Sequence, residues 1–204
     1  MNIISWNTRG LNDPTKQHEV LSLLQKRRIH IAGLLETRIK EHNLEYAMRK
    51  FGKFYHFSNH NDHPNGRIII LWDPNVVQLK IILSNDQIVH CQVTYANHVF
   101  LLSFIYAAND SSTRKNLWSC INNIANCQHP WACLGDFNVV KCASEKLSSA
   151  NLCRNGVDDF FQCLFHSDLM DLPFTGCFYT WNNNRSGPDR VYAKLDRVLC
   201  NPLW

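Results

Sequence analysis

A set of short apolar runs, each ending in a polar residue, constrains this chain more than any other feature of its sequence. Runs at 3–6, 31–35, 101–105 and 131–135 are followed by Asn7, Glu36, Tyr106 and Asp136. The runs have the length of buried strands and are too short to cross a membrane. Because packed sheets bring strand ends together along one edge, these four polar side chains are predicted to gather there.

The chain alternates apolar strand-like runs with polar turns and a few amphipathic helices. Strands are predicted at 2–6, 29–35, 89–95, 99–105, 131–134, 178–181, 191–192 and 195–199, and helices at 20–24 and 117–124, the latter capped by Ser111-Ser112. The strands at 89–95 and 99–105 read as antiparallel neighbours, which argues against a purely parallel sheet. The pattern predicts one α/β (α+β) domain over residues 1–204, with two packed sheets and helices outside.

Composition narrows the class of protein without identifying it. Hydrophobic residues make up 45% of the 204, and the formal net charge of +4 permits contact with nucleic acid without requiring it. The start of the chain does not resemble a secretory signal. The nine cysteines are scattered with no C-x-x-C pair, which indicates free thiols in a reducing, intracellular compartment. His60 and His63 lie in a polar stretch that reads as an exposed loop rather than a metal site.

The polar groups at the strand ends suit hydrolysis of a phosphodiester. Magnesium prefers oxygen ligands and keeps several waters, so one or two carboxylates with an amide are sufficient. Each residue also has a structural interpretation: Asn7 as a turn residue, Glu36 as an ion-paired strand end, Tyr106 as a half-buried aromatic. Asp136 differs, because with Asn138 it places two polar groups at one tight turn. A shared site explains the set better than four independent roles.

Short motifs follow one another from residue 3 to residue 199. They are Trp-Asn-Thr-Arg-Gly-Leu at 6–11, Leu-Glu-Thr-Arg at 35–38, Tyr-Ala-Ala-Asn at 106–109, Gly-Asp-Phe-Asn at 135–138, Tyr-Thr-Trp at 179–181 and Leu-Asp-Arg-Val-Leu at 195–199. This ordered set resembles the endonuclease/exonuclease/phosphatase superfamily, which includes DNase I and the abasic-site endonucleases. The opening motif is typical of plant LINE-type (non-LTR) retrotransposons, and Ala108 replaces the family's usual proline.

The resemblance implies a four-layered, DNase I-like α/β sandwich in which two packed mixed sheets are flanked by helices. It implies a divalent cation, Mg²⁺ or Mn²⁺, bound by Glu36 with Asn7 close beside it. Tyr106 and Asn109 would contact the scissile phosphate.

The later motifs imply the remaining catalytic roles. Asp136 would orient or activate the attacking water, and Asn138 would hold the phosphate or the metal. Thr180 would contact DNA or support the site. Asp196 resembles the acid that orients and charges the catalytic histidine.

That histidine belongs to a Ser-Asp-His motif downstream of Leu-Asp-Arg-Val-Leu in the family, and no Ser-Asp-His occurs in these residues. His166 precedes Asp196 and has the wrong neighbours, so it is assigned to surface or packing. We therefore expect a domain truncated at its C-terminus, without its last strand or strands. Losing a histidine that handles a proton costs ~10²–10⁴-fold in rate, so weak or no activity is expected.

The polar turn at 182–190 corresponds in the family to a hairpin that lies against the minor groove of DNA. Arg185 and Arg190 would contact phosphates or the groove, although a solvated hairpin tip is an equally good interpretation. The implied activity is nicking of double-stranded DNA in the nucleus, by a monomeric domain of a polyprotein that carries a reverse transcriptase. Two alternatives stay open: a non-catalytic fragment that at most binds DNA or a protein, and a phosphomonoesterase of the same superfamily.

Overall fold

The computed structural model describes residues 1–148 and 154–204, which divide into two compact units, Met1–Tyr106 and Ala107–Trp204. The strands are β1 (Ile3–Asn7), β2 (Ile31–Leu35), β3 (Tyr55–Ser58), β4 (Ile68–Trp72), β5 (Gln78–Ser84), β6 (Ile88–Tyr95), β7 (His98–Tyr106), β8 (Trp131–Asp136), β9 (Lys146–Leu147), β10 (Met170–Asp171), β11 (Trp181–Asn182), β12 (Tyr192–Ala193) and β13 (Asp196–Cys200). The helices are α1 (Pro14–Lys26), α2 (Glu41–Met48), α3 (Ser111–Ile124) and α4 (Arg154–His166), with short 3₁₀ helices at Arg49–Phe51, Ala143–Glu145 and Gly187–Asp189.

In the first unit, β1, β2, β4 and β3 form a mixed sheet in that order. The β1–β2 pair is parallel, and the β2–β4 and β3–β4 pairs are antiparallel. All five residues of β2 are buried, which matches an unbroken apolar strand covered on both faces. Because β4 runs antiparallel to β2, its first residues lie beside the last residues of β2.

Helix α1 covers one face of this sheet and is longer than the predicted stretch at 20–24. It begins after Asp13, whose carboxylate accepts a hydrogen bond from the backbone N–H of Thr15, and Pro14 takes the first helical position. Val20 and Leu24 are buried in one apolar cluster with residues of β2 and β4. The amphipathic spacing located the buried centre of the helix, and the cap extends it by nearly two turns.

Strands β5, β6 and β7 form an antiparallel ladder in the same unit. The predicted pairing of 89–95 with 99–105 is confirmed, with Val89 opposite Phe104 and Tyr95 opposite His98. The ladder packs on the first sheet where Gly33 of β2 meets Phe104 of β7. A Cβ atom on Gly33 would lie 2.0 Å from the Phe104 ring, so only glycine allows this approach.

In the second unit, β13 lies between β8 and β10, and both pairs are antiparallel. Helices α3 and α4 pack together, with the rings of Trp118 and Phe160 5.0 Å apart. The predicted Ser111-Ser112 cap of α3 is wrong by one residue. The cap is Asp110, whose carboxylate accepts the backbone N–H of Thr113, because a carboxylate is the stronger acceptor at this position.

Strands β11, β12 and β9 form a small antiparallel sheet in the same unit. The predicted strand at 178–181 is wrong in extent, since pairing begins only at Trp181. The backbone N–H of Thr180 still donates to the Ala193 carbonyl at 3.0 Å, and its hydroxyl accepts the backbone N–H groups of Leu195 and Asp196. Mixed sheets with flanking helices confirm the predicted α/β class.

The cysteines that the structure describes are free thiols, and Cys153 lies outside the described residues. Burial raises the pKa of both Cys91 and Cys163 to about 12, which makes these thiols unreactive near neutral pH. None of the helices within residues 1–148 and 154–204 has both the length and the apolar character needed to span a bilayer.

Candidate active site

The structure places the predicted metal ligands side by side in the first unit. Asn7 is the last residue of β1 and pairs in register with Leu35, directly before Glu36. The two segments stay hydrogen-bonded beyond the ends of β1 and β2. The backbone N–H of Thr8 donates to the Leu35 carbonyl at 2.9 Å, and that of Gly10 donates to the Glu36 carbonyl at 2.7 Å. The two predicted ligands therefore leave the same edge of one sheet.

Asn7 and Glu36 also make the contacts expected of a turn residue and of an ion-paired strand end. The Asn7 side chain accepts a hydrogen bond from the backbone N–H of Arg9 at 3.1 Å, as a turn residue does. The Glu36 carboxylate is paired with Arg38. Glu36 and Arg38 both have left-handed backbones, with φ of 52° and 54°. The Arg38 side chain is 66% exposed and can leave, which frees the carboxylate for another cation.

The oxygen donors of this edge fit a hard divalent cation. One carboxylate and one amide oxygen are ligands that Mg²⁺ accepts while it keeps several waters. Among the residues that the structure describes, no three His, Cys, Asp or Glu side chains form a group able to hold a metal. Water and substrate would have to supply the other ligands, as is usual for magnesium and unlike structural zinc.

Tyr106 ends β7 and lines a small pocket of about 170 Å³ in the first unit. Its ring is covered by the guanidinium of Arg67, whose central carbon lies 4.4 Å from the ring centroid. Glu36 and Arg38 line the same pocket, together with His63, Asn65 and Gly66. The sequence pattern did not indicate Arg67, because this residue immediately precedes an apolar run, whereas the predicted site residues follow one. In an antiparallel pair, the start of one strand lies beside the end of its neighbour.

The second unit brings together the two predicted acids. Asp136 on β8 and Asp196 on β13 are opposite each other in register. Asp136 is 5% exposed, and one of its carboxylate oxygens accepts the backbone N–H of Asn138 at 3.0 Å. The Asn138 amide in turn donates to the Ala107 carbonyl at 2.7 Å. The two polar side chains of the Gly-Asp-Phe-Asn turn, Asp136 and Asn138, are therefore held in place by hydrogen bonds.

Thr180 supports Asp196 through the backbone. Its hydroxyl oxygen accepts the N–H groups of Leu195 at 3.1 Å and Asp196 at 3.0 Å. These bonds fix the start of β13 relative to the segment that carries Thr180. Of the two roles implied by the motif, support of the site is the one for which the structure provides contacts.

Asn109 and Asn138 line a cavity of about 640 Å³ in the second unit. Its other walls are mainly apolar and include Trp181 and Leu195. Arg114, which is 6% exposed, donates to the carbonyls of Ala108 and Asn109 at 2.8 Å each and so anchors the Asn109 backbone. Sequence reasoning missed this anchor, because Arg114 reads as one more charge on a helix.

The hairpin between β11 and β12 exposes both predicted DNA-binding arginines. The Asn183 side chain closes the turn, since it accepts the N–H groups of Arg185 at 3.3 Å and Val191 at 3.0 Å. The guanidinium of Arg190 lies 5.0 Å from the centre of the Tyr192 ring. The Arg185 side chain is exposed at the tip of this turn.

A buried ion network lies beside Asp196. Arg197 donates to Glu145 at 2.9 Å and to Asp171 at 3.2 Å, and its side chain is 0% exposed. Burial alone would raise the pKa of Glu145 and of Asp171. Hydrogen bonds and neighbouring positive charges, chiefly from Arg197 for Glu145 and from Lys141 for Asp171, outweigh burial and lower both pKa values. Both acids are therefore ionised at neutral pH.

A profile of the endonuclease/exonuclease/phosphatase family matches residues 4–204. The chain belongs to this family. No curated protein matches the chain significantly in sequence. Members of this family generally depend on a divalent metal, and the oxygen donors around Glu36 agree with that expectation.

Several solved structures share the fold of this chain. The endonuclease domain of TRAS1, a telomere-specific non-LTR retrotransposon, superposes with a TM-score of 0.72 at 14% identity, over 98% of this chain and 84% of that one. The 3'-5' exonuclease NExo from Neisseria meningitidis gives 0.72 at 17% identity, over 99% and 87%. An AP endonuclease from Archaeoglobus fulgidus gives 0.72 at 12% identity, over 99% and 87%. At such identities the likeness establishes the DNase I-like fold and leaves the substrate open.

The placement of His166 agrees with its exclusion from the catalytic set that the family motifs imply. It ends α4, is exposed, and has its Nδ1 atom 2.8 Å from the carbonyl oxygen of Gln162 in the preceding turn. This is the position of an ordinary residue at the C-terminal end of a helix.

Proposed function

We propose that this chain is a metal-dependent DNA endonuclease domain, which hydrolyses a phosphodiester bond to nick target DNA for a plant LINE-type retrotransposon. The observation that carries the proposal is the register pairing of Asp136 with Asp196. It puts the acid assigned to the attacking water on the strand next to the acid assigned to the histidine. Double-stranded DNA is the partner, Mg²⁺ or Mn²⁺ the cofactor, the nucleus the place of action and a monomer the acting form.

Each side chain then has a task that its environment permits. Glu36 and Asn7 hold the divalent cation, which stabilises negative charge on the phosphate oxygens when it is bound. Tyr106 and Asn109 orient the phosphate for attack. Asp136 accepts the proton of the attacking water, and the Asn138 backbone N–H keeps that carboxylate oriented.

The alternative is a chain that binds DNA or a protein without cleaving it. These 204 residues contain no Ser-Asp-His motif that could supply a histidine for Asp196 to orient. Chemistry carried out by these residues alone is expected to be slow by ~10²–10⁴-fold, the usual contribution of such a group. The phosphomonoesterase alternative stays open on the fold alone.

Nicking of supercoiled plasmid by the purified chain tests the proposal. With Mg²⁺ we expect slow conversion to the open circle, and Asp136→Ala should abolish it, because this carboxylate is the one assigned to accept the proton of the attacking water. Asp158→Ala, which replaces an exposed acid on α4, is the matched control and should nick like the wild type. Equal nicking by Asp136→Ala and the wild type would contradict the assignment. A folded wild type that never nicks would support the non-catalytic alternative.

A separate prediction concerns the hairpin. Arg185→Gln should weaken binding of duplex DNA and lower the slope of log K against log salt by about 0.9, the value for one lost phosphate contact. Lys26→Gln, at the exposed end of α1, is the control and should change neither quantity. Fluorescence anisotropy across a salt series measures both. An unchanged slope would mean that the hairpin tip is merely solvated.

A further inference from the structure

We propose that Arg67, stacked on Tyr106, is a phosphate-binding residue that holds a phosphodiester of the DNA substrate in the pocket of the first unit. This inference rests on the proposed function for the identity of its ligand. None of the recognised motifs includes Arg67. The grounds are its unused hydrogen-bond donors, its support and its charged surroundings.

The guanidinium of Arg67 is held against the Tyr106 ring, and its N–H donors are available to a ligand. Its central carbon lies over the Tyr106 ring, 4.4 Å from the ring centroid, and the side chain is 18% exposed. Its nearest acidic partner is Asp86, at 3.8 Å, beyond hydrogen-bond distance. Within the part of the chain that the structure describes, the guanidinium donates no hydrogen bond to a protein acceptor. No Arg67 nitrogen is among the buried atoms that lack a partner, so these five N–H donors reach solvent and an external oxygen acceptor can replace that water.

The loop before Arg67 is built to keep the residue in place. Asn59 closes the loop, because its side chain accepts the backbone N–H of Ile68 at 2.8 Å and donates to the Asn85 carbonyl at 2.9 Å. The His60 ring fills the space over Gly66, where an added Cβ would lie 2.1 Å from it. With φ of +48°, Gly66 also adopts a backbone that favours glycine. The loop thus has little freedom to move Arg67 away from the pocket.

The same loop ties Arg67 to the predicted metal ligand. The backbone N–H of Glu36 donates to the Arg67 carbonyl at 2.7 Å, and the Thr37 hydroxyl donates to the Gly66 carbonyl at 2.6 Å. These bonds continue the register in which Leu35 faces Ile68, so Glu36 and Arg67 are opposite each other. An anion held by Arg67 therefore lies beside the carboxylate that is assigned to the cation.

The charges of the pocket suit a phosphodiester. Arg38 at the rim adds a second guanidinium to that of Arg67, and Glu36 is the only acid among the lining residues. Burial and the nearby charge of Arg67 lower the pKa of His63, which leaves this lining histidine neutral near pH 7 and able to donate one hydrogen bond. A volume of about 170 Å³ holds one phosphate group with a few waters.

Binding of a short DNA duplex, measured by anisotropy in Ca²⁺ over a salt series, tests the inference. Arg67→Gln should weaken binding about tenfold and reduce the salt slope by about 0.9, because one charge-assisted phosphate contact is lost. Arg67→Lys should keep the slope but lose part of the affinity, since an ammonium cannot reproduce the planar stacked donor set. Arg49→Gln, an exposed arginine in the same unit, is the matched control and should bind like the wild type. Thermal unfolding confirms that each variant is folded.

The outcomes separate this inference from the function on which it rests. A folded wild type that binds no duplex would overturn both. If the wild type binds and Arg67→Gln binds equally well, Arg67 is not a phosphate ligand, and the endonuclease proposal is untouched. Equal losses in Arg67→Gln and Arg49→Gln would show a diffuse charge effect and also overturn the inference. If Arg67→Gln does not fold, Arg67→Lys decides, and wild-type affinity in that variant counts against the stacked contact.

Discussion

Gly33→Ala is expected to lower the free energy of unfolding by about 3 kcal/mol or more, the upper part of the range for overpacked cores. The added methyl carbon would lie 2.0 Å from Cδ1 and 2.6 Å from Cε1 of Phe104, a fully buried ring. Neither group can yield cheaply, because every residue of β2 is buried and Phe104 is held in register on β7. Chemical denaturation followed by tryptophan fluorescence measures the loss.

Two further variants make this result specific. Gly52→Ala adds a methyl at an exposed glycine, 3.3 Å from the carbonyl oxygen of Arg49, and should change stability by less than about 1 kcal/mol. Combining Gly33→Ala with Phe104→Leu should recover part of the loss, because the smaller side chain vacates the space of the ring. If Gly33→Ala alone were as stable as the wild type, the close approach of β2 and β7 would be wrong.

Arg197→Met is expected to cost about 3–5 kcal/mol, the usual range when one partner of a buried ion pair is removed. The variant leaves Glu145 and Asp171 without their shared guanidinium, and Glu145 is only 4% exposed. Replacing Glu145 by Met as well should recover part of the loss, because one buried carboxylate is then gone while Lys141 and Lys194 still pair with Asp171. Lys53→Gln is the control: its pair with Asp73 spans 3.5 Å at the surface and is worth about 0–1 kcal/mol.

The same network predicts how stability depends on pH. The folded-state pKa values of Glu145 and Asp171 are lowered, so their contribution is fully present above the ordinary carboxyl pKa values. It is lost as the pH falls through the lowered folded-state values. Stability should therefore drop on acidification below about pH 4, the ordinary pKa range of these carboxyl groups. Arg197→Met should show a shallower drop in the same titration, and an equally steep one would exclude the network as its source.

The sequence indicated those parts of the candidate site whose signal is local. Gly-Asp-Phe-Asn is four consecutive residues at the end of a buried run, so the turn and its two polar groups could be assigned without a partner strand. The α/β class followed for the same reason, because strand periodicity is a property of short windows. The spacing also located α3, although its cap, Asp110, lies one residue before the predicted pair.

What could not be predicted depends on contacts between distant parts of the chain. Arg197 and Glu145 are 52 residues apart, and nothing near either of them indicates the other. The position of Arg67 beside Glu36 depends on the antiparallel register of β4 with β2. Hydrophobic periodicity does not reveal that register, so the sequence did not indicate Arg67. The supporting role of Thr180 likewise needs the start of β13 beside it.

The left-handed backbone of Glu36 has a cost in folding free energy. At a φ of 52°, a residue with a side chain destabilises the fold by about 1–2 kcal/mol relative to glycine. A lineage selected only for a stable fold would drift toward glycine at this position, since that change relieves the backbone and removes no core contact. If Glu36 holds the cation as proposed, the benefit of a carboxylate at the strand end offsets this backbone cost.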